Sequence, residues 1–149
     1  MHDTPDAMSL AFAEARAAAA RGEVPVGAVI TRDGAVLAAA GNRVLADRDP
    51  TAHAEMLAIR TACAVIGSER LLGCDLYVTL EPCAMCAAAI AFARLRRVYY
   101  AAPDAKGGAV DHGPRFFQQP TCHHVPEVVG GLREAEAAEL LRGFFAEKR

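Results

Sequence analysis

The sequence predicts an α/β fold, a three-layer α/β/α sandwich in which helices cover both faces of a five-stranded mixed sheet. Three observations lead to this fold class. An opening helical stretch leads into a hairpin signal, and strand-like and helical segments then alternate to the end of the chain. The length of 149 residues suits one compact domain, and residues 1–149 contain no repeat or linker that would divide it.

The spacing of apolar residues and the turn-forming residues place the elements in chain order. The predicted elements are a helix ended by Gly22, strands over 25–31 and 35–41 joined by an Asp33-Gly34 turn, a helix over 53–66 ended by Gly67, a strand over 75–80, a helix over 83–93, a short strand over 98–100, an irregular segment over 101–124 with a short helical piece near 114–118, a strand over 124–129, and an amphipathic helix over 133–147.

Composition limits the functional classes. About half of the residues are apolar, and no apolar run is long and charge-free enough to span a bilayer. The first 20 residues lack a secretory signal, so we expect a cytoplasmic protein without a membrane partner. The five cysteines are an odd number, which argues against a disulfide framework. The formal net charge of −2 gives no global case for nucleic-acid binding, so any RNA contact must depend on local positive charge.

A Cys-x-x-Cys pair is the first candidate site. Cys83 and Cys86 follow Pro82, which favours the first position of a helix, and they then share one face of its first turn. The positive end of the helix dipole favours the thiolates that zinc binds. The pair alone does not decide between a metal site, a thioredoxin-like redox pair and two inert core cysteines.

His53 and Glu55 complete the pattern at the start of another predicted helix. Because both helix starts should lie at the same ends of neighbouring strands, His53 can join the cysteines as a third zinc ligand. Zinc with three protein ligands keeps a position for water, whose pKa it lowers from about 15.7 towards about 7. Glu55 is the candidate catalytic residue, a proton shuttle between this hydroxide and a leaving nitrogen.

These residues resemble the cytidine/deoxycytidylate deaminase superfamily, whose zinc signature is His-Ala-Glu followed by Pro-Cys-x-x-Cys. The finer resemblance is to bacterial tRNA-specific adenosine deaminases and covers nearly the whole chain. The matching segments are Glu23-Val24-Pro25-Val26-Gly27, Asp49-Pro50-Thr51-Ala52-His53-Ala54-Glu55, Thr79-Leu80-Glu81-Pro82-Cys83, Asp104-Ala105-Lys106-Gly107-Gly108 and Phe144-Phe145.

The resemblance implies a cytidine-deaminase-like fold, one Zn²⁺ per chain and a homodimer. It implies hydrolytic deamination of the wobble adenosine of a tRNA anticodon, usually in an arginine tRNA, to inosine. Its implied substrate contacts are Asn42 and the Ala54 backbone to the flipped base, Asp104 and Lys106 to neighbouring nucleotides, and Phe144, Phe145, Lys148 and Arg149 along the loop-binding groove.

Three other functions remain open from the residues alone. A deaminase of a free guanine or cytosine compound would use the same chemistry. A non-catalytic zinc-binding RNA subunit would have no need of Glu55, and a thiol redox protein would form a reversible Cys83–Cys86 disulfide without metal.

For two further clusters of polar residues we prefer a structural interpretation to a functional one. Cys122-His123-His124 with His112 is a polar loop rather than a second metal site, because adjacent loop residues rarely converge on one ion. Arg94, Arg96 and Arg97 are expected at a solvated helix end, with RNA or a partner chain as the alternatives.

Overall fold

The computed structural model describes residues 4–147, with side chains from residue 7 onward. The predicted groove residues Lys148 and Arg149 lie outside this range. The elements in chain order are α1 (Thr4–Ala20), β1 (Gly27–Arg32), β2 (Ala35–Gly41), α2 (Ala54–Ile66), β3 (Cys74–Leu80), α3 (Ala84–Ala93), β4 (Arg97–Ala102), a short 3-10 helix (Phe116–Gln118), β5 (Glu127–Gly130) and α4 (Glu134–Glu147).

The five strands form one mixed sheet in the order β2-β1-β3-β4-β5. Strand β1 is antiparallel to both β2 and β3, whereas β3, β4 and β5 are parallel. Four strands therefore run in one direction and β1 alone runs in the other. The predicted five-stranded mixed sheet is confirmed.

Alternating side chains give the sheet two buried faces. Ile30, Leu76 and Val98 point to the face covered by α2 and α3. Val29 and Tyr77 point to the opposite face, which α1 and α4 cover. The α/β/α sandwich is confirmed, and the central strands β1 and β3 are buried along both faces because helices exclude water from both.

Several predicted boundaries differ from the structure for local reasons. Strand β1 begins at Gly27 rather than at Pro25, since Pro25 has no N–H and the Val26 N–H bonds to the Val24 carbonyl in a tight turn. Strand β5 covers Glu127–Gly130 rather than 124–129, since Pro126 has no N–H and pairing begins with the bond from the Glu127 N–H to the Arg96 carbonyl at 2.9 Å. Helix α2 ends as predicted at Gly67, which has φ 78°.

One topological expectation was wrong. The segments that carry His53 and Cys83 follow β2 and β3, which run in the same direction and end at the same sheet edge, but these strands are not neighbours. The antiparallel β1 lies between them. Both segments therefore leave the sheet beside the start of β1.

Among residues 4–147, no helix is both long and apolar enough to cross a membrane.

Candidate metal centre

His53 is held at the end of a short ordered loop after β2. Asp49 Oδ1 accepts hydrogen bonds from the Thr51 N–H and hydroxyl, at 2.8 and 2.7 Å, which fixes the turn before it. His53 itself is the N-cap of α2, with extended φ and ψ of −74° and 151°. The next N–H, that of Ala54, donates to Asn42 Oδ1 at 2.8 Å. The imidazole is therefore positioned from both sides.

Cys83 occupies the position on the segment after β3 that His53 occupies on the segment after β2. It is the N-cap of α3, with φ −75° and ψ 176°, and Cys86 lies in the first turn of this helix. The sequence had suggested that Pro82 occupies the first helical position. In the structure Pro82 instead precedes the N-cap residue Cys83. The extended backbone at Cys83 turns its sulfur towards Cys86, so both thiols still face the same point near the helix N-terminus.

The three side chains converge on one point. His53 Nδ1 lies 3.6 Å from Cys83 Sγ and 3.6 Å from Cys86 Sγ. One ligand atom from each residue lies within 4.8 Å of the others, as binding of a single ion requires. Among the described residues this is the one group of three or more such side chains placed to hold a metal ion. The distances and donor types fit a tetrahedral zinc ion with a fourth, open position.

The pKa values of these three groups are set by their contacts with one another and by burial. A hydrogen bond from the Cys86 thiol lowers the pKa of Cys83 to about 4, while the same bond and burial raise the pKa of Cys86. The hydrogen bond to Cys83 raises the pKa of His53. Zn²⁺ held here would be bound by two thiolates and a neutral imidazole, so its binding would release the proton of Cys86.

Glu55 lies on the first turn of α2, beside the ligands, and is almost completely buried. Burial raises its pKa to about 7. Two residues that are two positions apart in a helix would point to different sides, but His53 is in extended conformation before α2 begins, so this separation does not apply to His53 and Glu55. A carboxyl group that gains and loses a proton near neutral pH is suited to general acid–base chemistry.

A cavity of about 380 Å³ opens over these residues. His53, Glu55 and Cys83 form part of its lining, and apolar walls come from Val26, Val44 and Leu80 among others. Its size and its few convergent polar groups are typical of a small-molecule or base-binding site.

Two buried carboxylates that the sequence analysis did not single out support the cavity walls. Glu23 accepts hydrogen bonds from the N–H groups of Leu45 and Ala46, at 3.1 and 2.8 Å, and so holds the loop after β2. Glu81 does the same for the loop after β4. Burial alone would raise the pKa of Glu81, but hydrogen bonds from the Asp104 and Asp111 N–H groups and from His112 outweigh it and lower that pKa.

The base-contacting residues expected from the resemblance lie at different depths. Asn42 lines the cavity, whereas Ala54 is fully buried behind it and is not among the lining residues. The Ala54 N–H is already bonded to Asn42 Oδ1. The structure therefore joins these two residues to each other and leaves Asn42 as the one facing the cavity.

The residues that the resemblance assigns to the rest of the anticodon loop divide into two groups. Asp104, Lys106 and Phe145 line one groove of about 540 Å³ that shares Val24, Leu80 and Asp104 with the cavity. Phe144 lies instead in a depression between α1 and α4, with Ala19 and Leu140. The two rings contact each other edge to face, with centroids 5.3 Å apart, but each lines a different depression.

The two clusters for which we preferred a structural interpretation, the Cys-His-His segment with His112 and the three arginines, make separate local contacts. His112 bonds Glu81 and His124 bonds Leu95, so neither converges with Cys122 on a common point. Arg96 pairs with the buried Asp75 at 2.7 Å, and Arg97 pairs with Glu127. Arg94 caps α3 in the left-handed region with φ 62°.

Comparison with known proteins gives consistent matches. The family model for the cytidine and deoxycytidylate deaminase zinc-binding region matches residues 1–102. A tRNA-specific adenosine deaminase of Agrobacterium fabrum is 63% identical over 142 residues, which are 95% of this chain and 93% of that protein.

Two solved structures are similar to this fold. One comes from biochemical and structural studies of A-to-I editing by tRNA:A34 deaminases at the wobble position of transfer RNA. It has a TM-score of 0.91 and 61% identity, covering 92% of this chain and 99% of that one. The other is a guanine deaminase from Nitrosomonas europaea, with a TM-score of 0.81 and 26% identity over 94% of this chain and 83% of that one.

The first prediction concerns the metal. We expect purified protein to contain about one zinc ion per chain, and Cys86→Ser to lose most of it because a hydroxyl is a poor substitute for a thiolate ligand. Elemental analysis measures both. Cys122→Ser is the matched control, since its hydroxyl can keep the bond that Cys122 donates to the His124 carbonyl. A metal-free protein with a reversible Cys83–Cys86 disulfide would contradict the assignment and support a redox function.

Proposed function

Because this chain belongs to the zinc-binding cytidine and deoxycytidylate deaminases, we propose that it is a tRNA-specific adenosine deaminase that converts the wobble adenosine of an anticodon to inosine. The observation that carries the proposal is the placement of Glu55 beside three convergent zinc ligands in the lining of one cavity. The similarity to tRNA-specific adenosine deaminases along nearly the whole chain supports the choice of substrate. Arginine tRNA is the substrate that the family resemblance suggests.

The reaction replaces the amino group on C6 of adenine by oxygen and releases ammonia. Zinc held by His53, Cys83 and Cys86 supplies an activated water when it is bound. Glu55 accepts a proton from the attacking water and passes it to N1 of the base. The second proton of that water then passes through Glu55 to the amino group, which leaves as ammonia. The burial of Glu55, which sets its pKa at about 7, lets the same carboxyl perform both transfers.

The cavity walls exclude water and orient the base. Val26, Val44 and Leu80 give the apolar surfaces against which a purine packs. Asn42 lines the cavity, and because its Oδ1 is bonded to the Ala54 N–H, we assign its amide NH2 group to an edge of the base. A base must leave its stack to reach Glu55, and an anticodon loop is already unpaired, which lowers the cost of that step.

We assign the groove beside the cavity to the neighbouring anticodon-loop nucleotides. Phe145, about half exposed, offers a ring for base stacking, and Lys106 offers a positive charge for the phosphates. Asp104 lies where the groove meets the cavity. Phe144 lies in the other depression, so we assign it to support of α4 and not to RNA contact.

A homodimer is the second part of the proposal. The ten residues of α3 (Ala84–Ala93) include no charged residue, although this helix has an outward side. Phe92 is 77% exposed there, and Ala84 is also exposed. An uncharged outer face of this kind fits the surface of a second copy of the chain.

The substrate is tested with an anticodon stem-loop of an arginine tRNA that carries adenosine at the wobble position. We expect inosine at that position alone, because the groove must hold the neighbouring nucleotides for the base to enter the cavity. Nuclease digestion and mass spectrometry measure the product. The control is a stem-loop whose adenosine is moved by one nucleotide. Ammonia released from free guanine or cytidine, without inosine in either stem-loop, would instead support a free-base or nucleoside deaminase.

Glu55 is tested by replacement with alanine and with the isosteric glutamine. We expect both variants to keep zinc, because Glu55 is not a ligand, and to lose kcat by about a hundredfold to ten-thousandfold. Single-turnover assays and elemental analysis measure these quantities. Turnover equal to that of the unmodified protein would refute the role of Glu55 and leave a zinc-binding RNA subunit as the better interpretation.

The dimer is tested by Phe92→Glu. We expect the unmodified protein to sediment as a dimer and the variant as a monomer, because a charge buried at the centre of an apolar interface is unfavourable. Analytical ultracentrifugation measures the mass. Leu72→Glu is the matched control, since Leu72 is 63% exposed but lies before β3, outside α3. A monomeric unmodified protein, or a dimeric Phe92→Glu variant, would exclude this interface.

A further inference from the structure

Glu81, two residues before the metal ligand Cys83, accepts hydrogen bonds through both of its carboxylate oxygens. Its side chain is completely buried. Oε1 accepts from the Asp104 N–H at 2.9 Å and from His112 Nδ1 at 2.7 Å. Oε2 accepts from the N–H groups of Val110, Asp111 and His112, at 3.1, 2.9 and 3.1 Å. One carboxylate thus organises both ends of the segment 104–112.

The segment is wrapped directly onto this carboxylate. A methyl group added to Gly108 would lie 2.5 Å from the Glu81 carboxyl carbon and 2.5 Å from the Asp104 carbonyl oxygen. Asp104 Oδ1 in turn accepts from the Lys106 and Gly107 N–H groups, at 3.1 and 2.9 Å. Because no side chain fits between the backbone and Glu81, the path of the segment is set by the carboxylate.

The same segment faces the substrate. Asp104 and Gly107 line the cavity, and Asp104 and Lys106 line the adjoining groove. Glu81 is only two residues before Cys83, so one short piece of chain carries both a metal ligand and the anchor of the wall opposite it. The distance between the reacting centre and this wall therefore depends on the Glu81 contacts.

We propose that Glu81, with His112 as its side-chain donor, is a positioning residue that sets the substrate-facing wall relative to the metal ligands and so determines affinity for the anticodon loop. This assignment rests on the proposed function. It concerns binding and not proton transfer. Glu81 lines the cavity, but its two carboxylate oxygens are already engaged by four backbone N–H groups and the His112 ring, and His112 is absent from the cavity lining.

His112 offers a test that leaves the buried carboxylate in place, since 37% of its side chain is exposed. His112→Leu removes the donor at similar size, and His112→Asn keeps an N–H near the position of Nδ1. For the anticodon stem-loop we expect KM to rise about tenfold in the leucine variant, with kcat changed less than about twofold. In the asparagine variant we expect KM to return most of the way to that of the unmodified protein. Gly108→Ala should raise KM in the same way. His123→Leu, at an exposed position with no hydrogen bond or ion pair among the described residues, is the control.

Amide hydrogen exchange gives a readout that does not depend on substrate. We expect faster exchange at residues 104–112 in the leucine variant than in the asparagine variant, and no change in zinc content. An unchanged KM in His112→Leu, equal losses in the leucine and asparagine variants, a loss of kcat alone, or a loss of zinc would each overturn the proposal. If the unmodified enzyme makes no inosine, the proposed function fails, while the exchange comparison still decides whether His112 anchors the segment.

Discussion

The whole site depends on the convergence of two chain segments at one edge of the sheet. Strands β2 and β3 run in the same direction, with the antiparallel β1 between them, so the segments that follow them leave the sheet side by side. Each segment has an extended N-cap residue there, His53 and Cys83, before a helix begins. Because both caps are extended, their side chains turn towards each other. Cys86 Sγ then lies 3.6 Å from His53 Nδ1. Glu55 and the cavity above it depend on the same two helix starts.

Two buried glutamates in this site have pKa values shifted in opposite directions. Glu55 is buried with little compensation, and its pKa rises to about 7. Glu81 is buried too, but backbone N–H groups and His112 stabilise its charged form, and its pKa falls. The first environment suits a group that exchanges protons, and the second suits a permanent anion that holds a loop. The same residue type therefore performs chemistry in one position and architecture in the other, according to the number of donors that surround it.

The sequence was sufficient to predict the elements whose signals are local. Glycines at the ends of α1 and α2, the Asp33-Gly34 turn and the alternation of apolar residues gave the element order, and the His-Ala-Glu and Cys-x-x-Cys spacings gave the ligands. The direction of β1 relative to β3 could not be obtained in this way, because strand direction depends on contacts far apart in sequence. The role of Glu81 was missed for the same reason, since its donors lie 23–31 residues away. The difference between Phe144 and Phe145 depends on how α4 packs against α1, which no spacing within α4 determines.

The central claim is that His53, Cys83 and Cys86 form one three-ligand zinc site with an open position, and zinc X-ray absorption measures that arrangement most directly. The spectrum of purified protein should fit two sulfur scatterers and two nitrogen or oxygen scatterers around each zinc ion. A shell of four sulfur atoms, or one with no sulfur, would mean that other residues bind the metal and would contradict the account of the site given above.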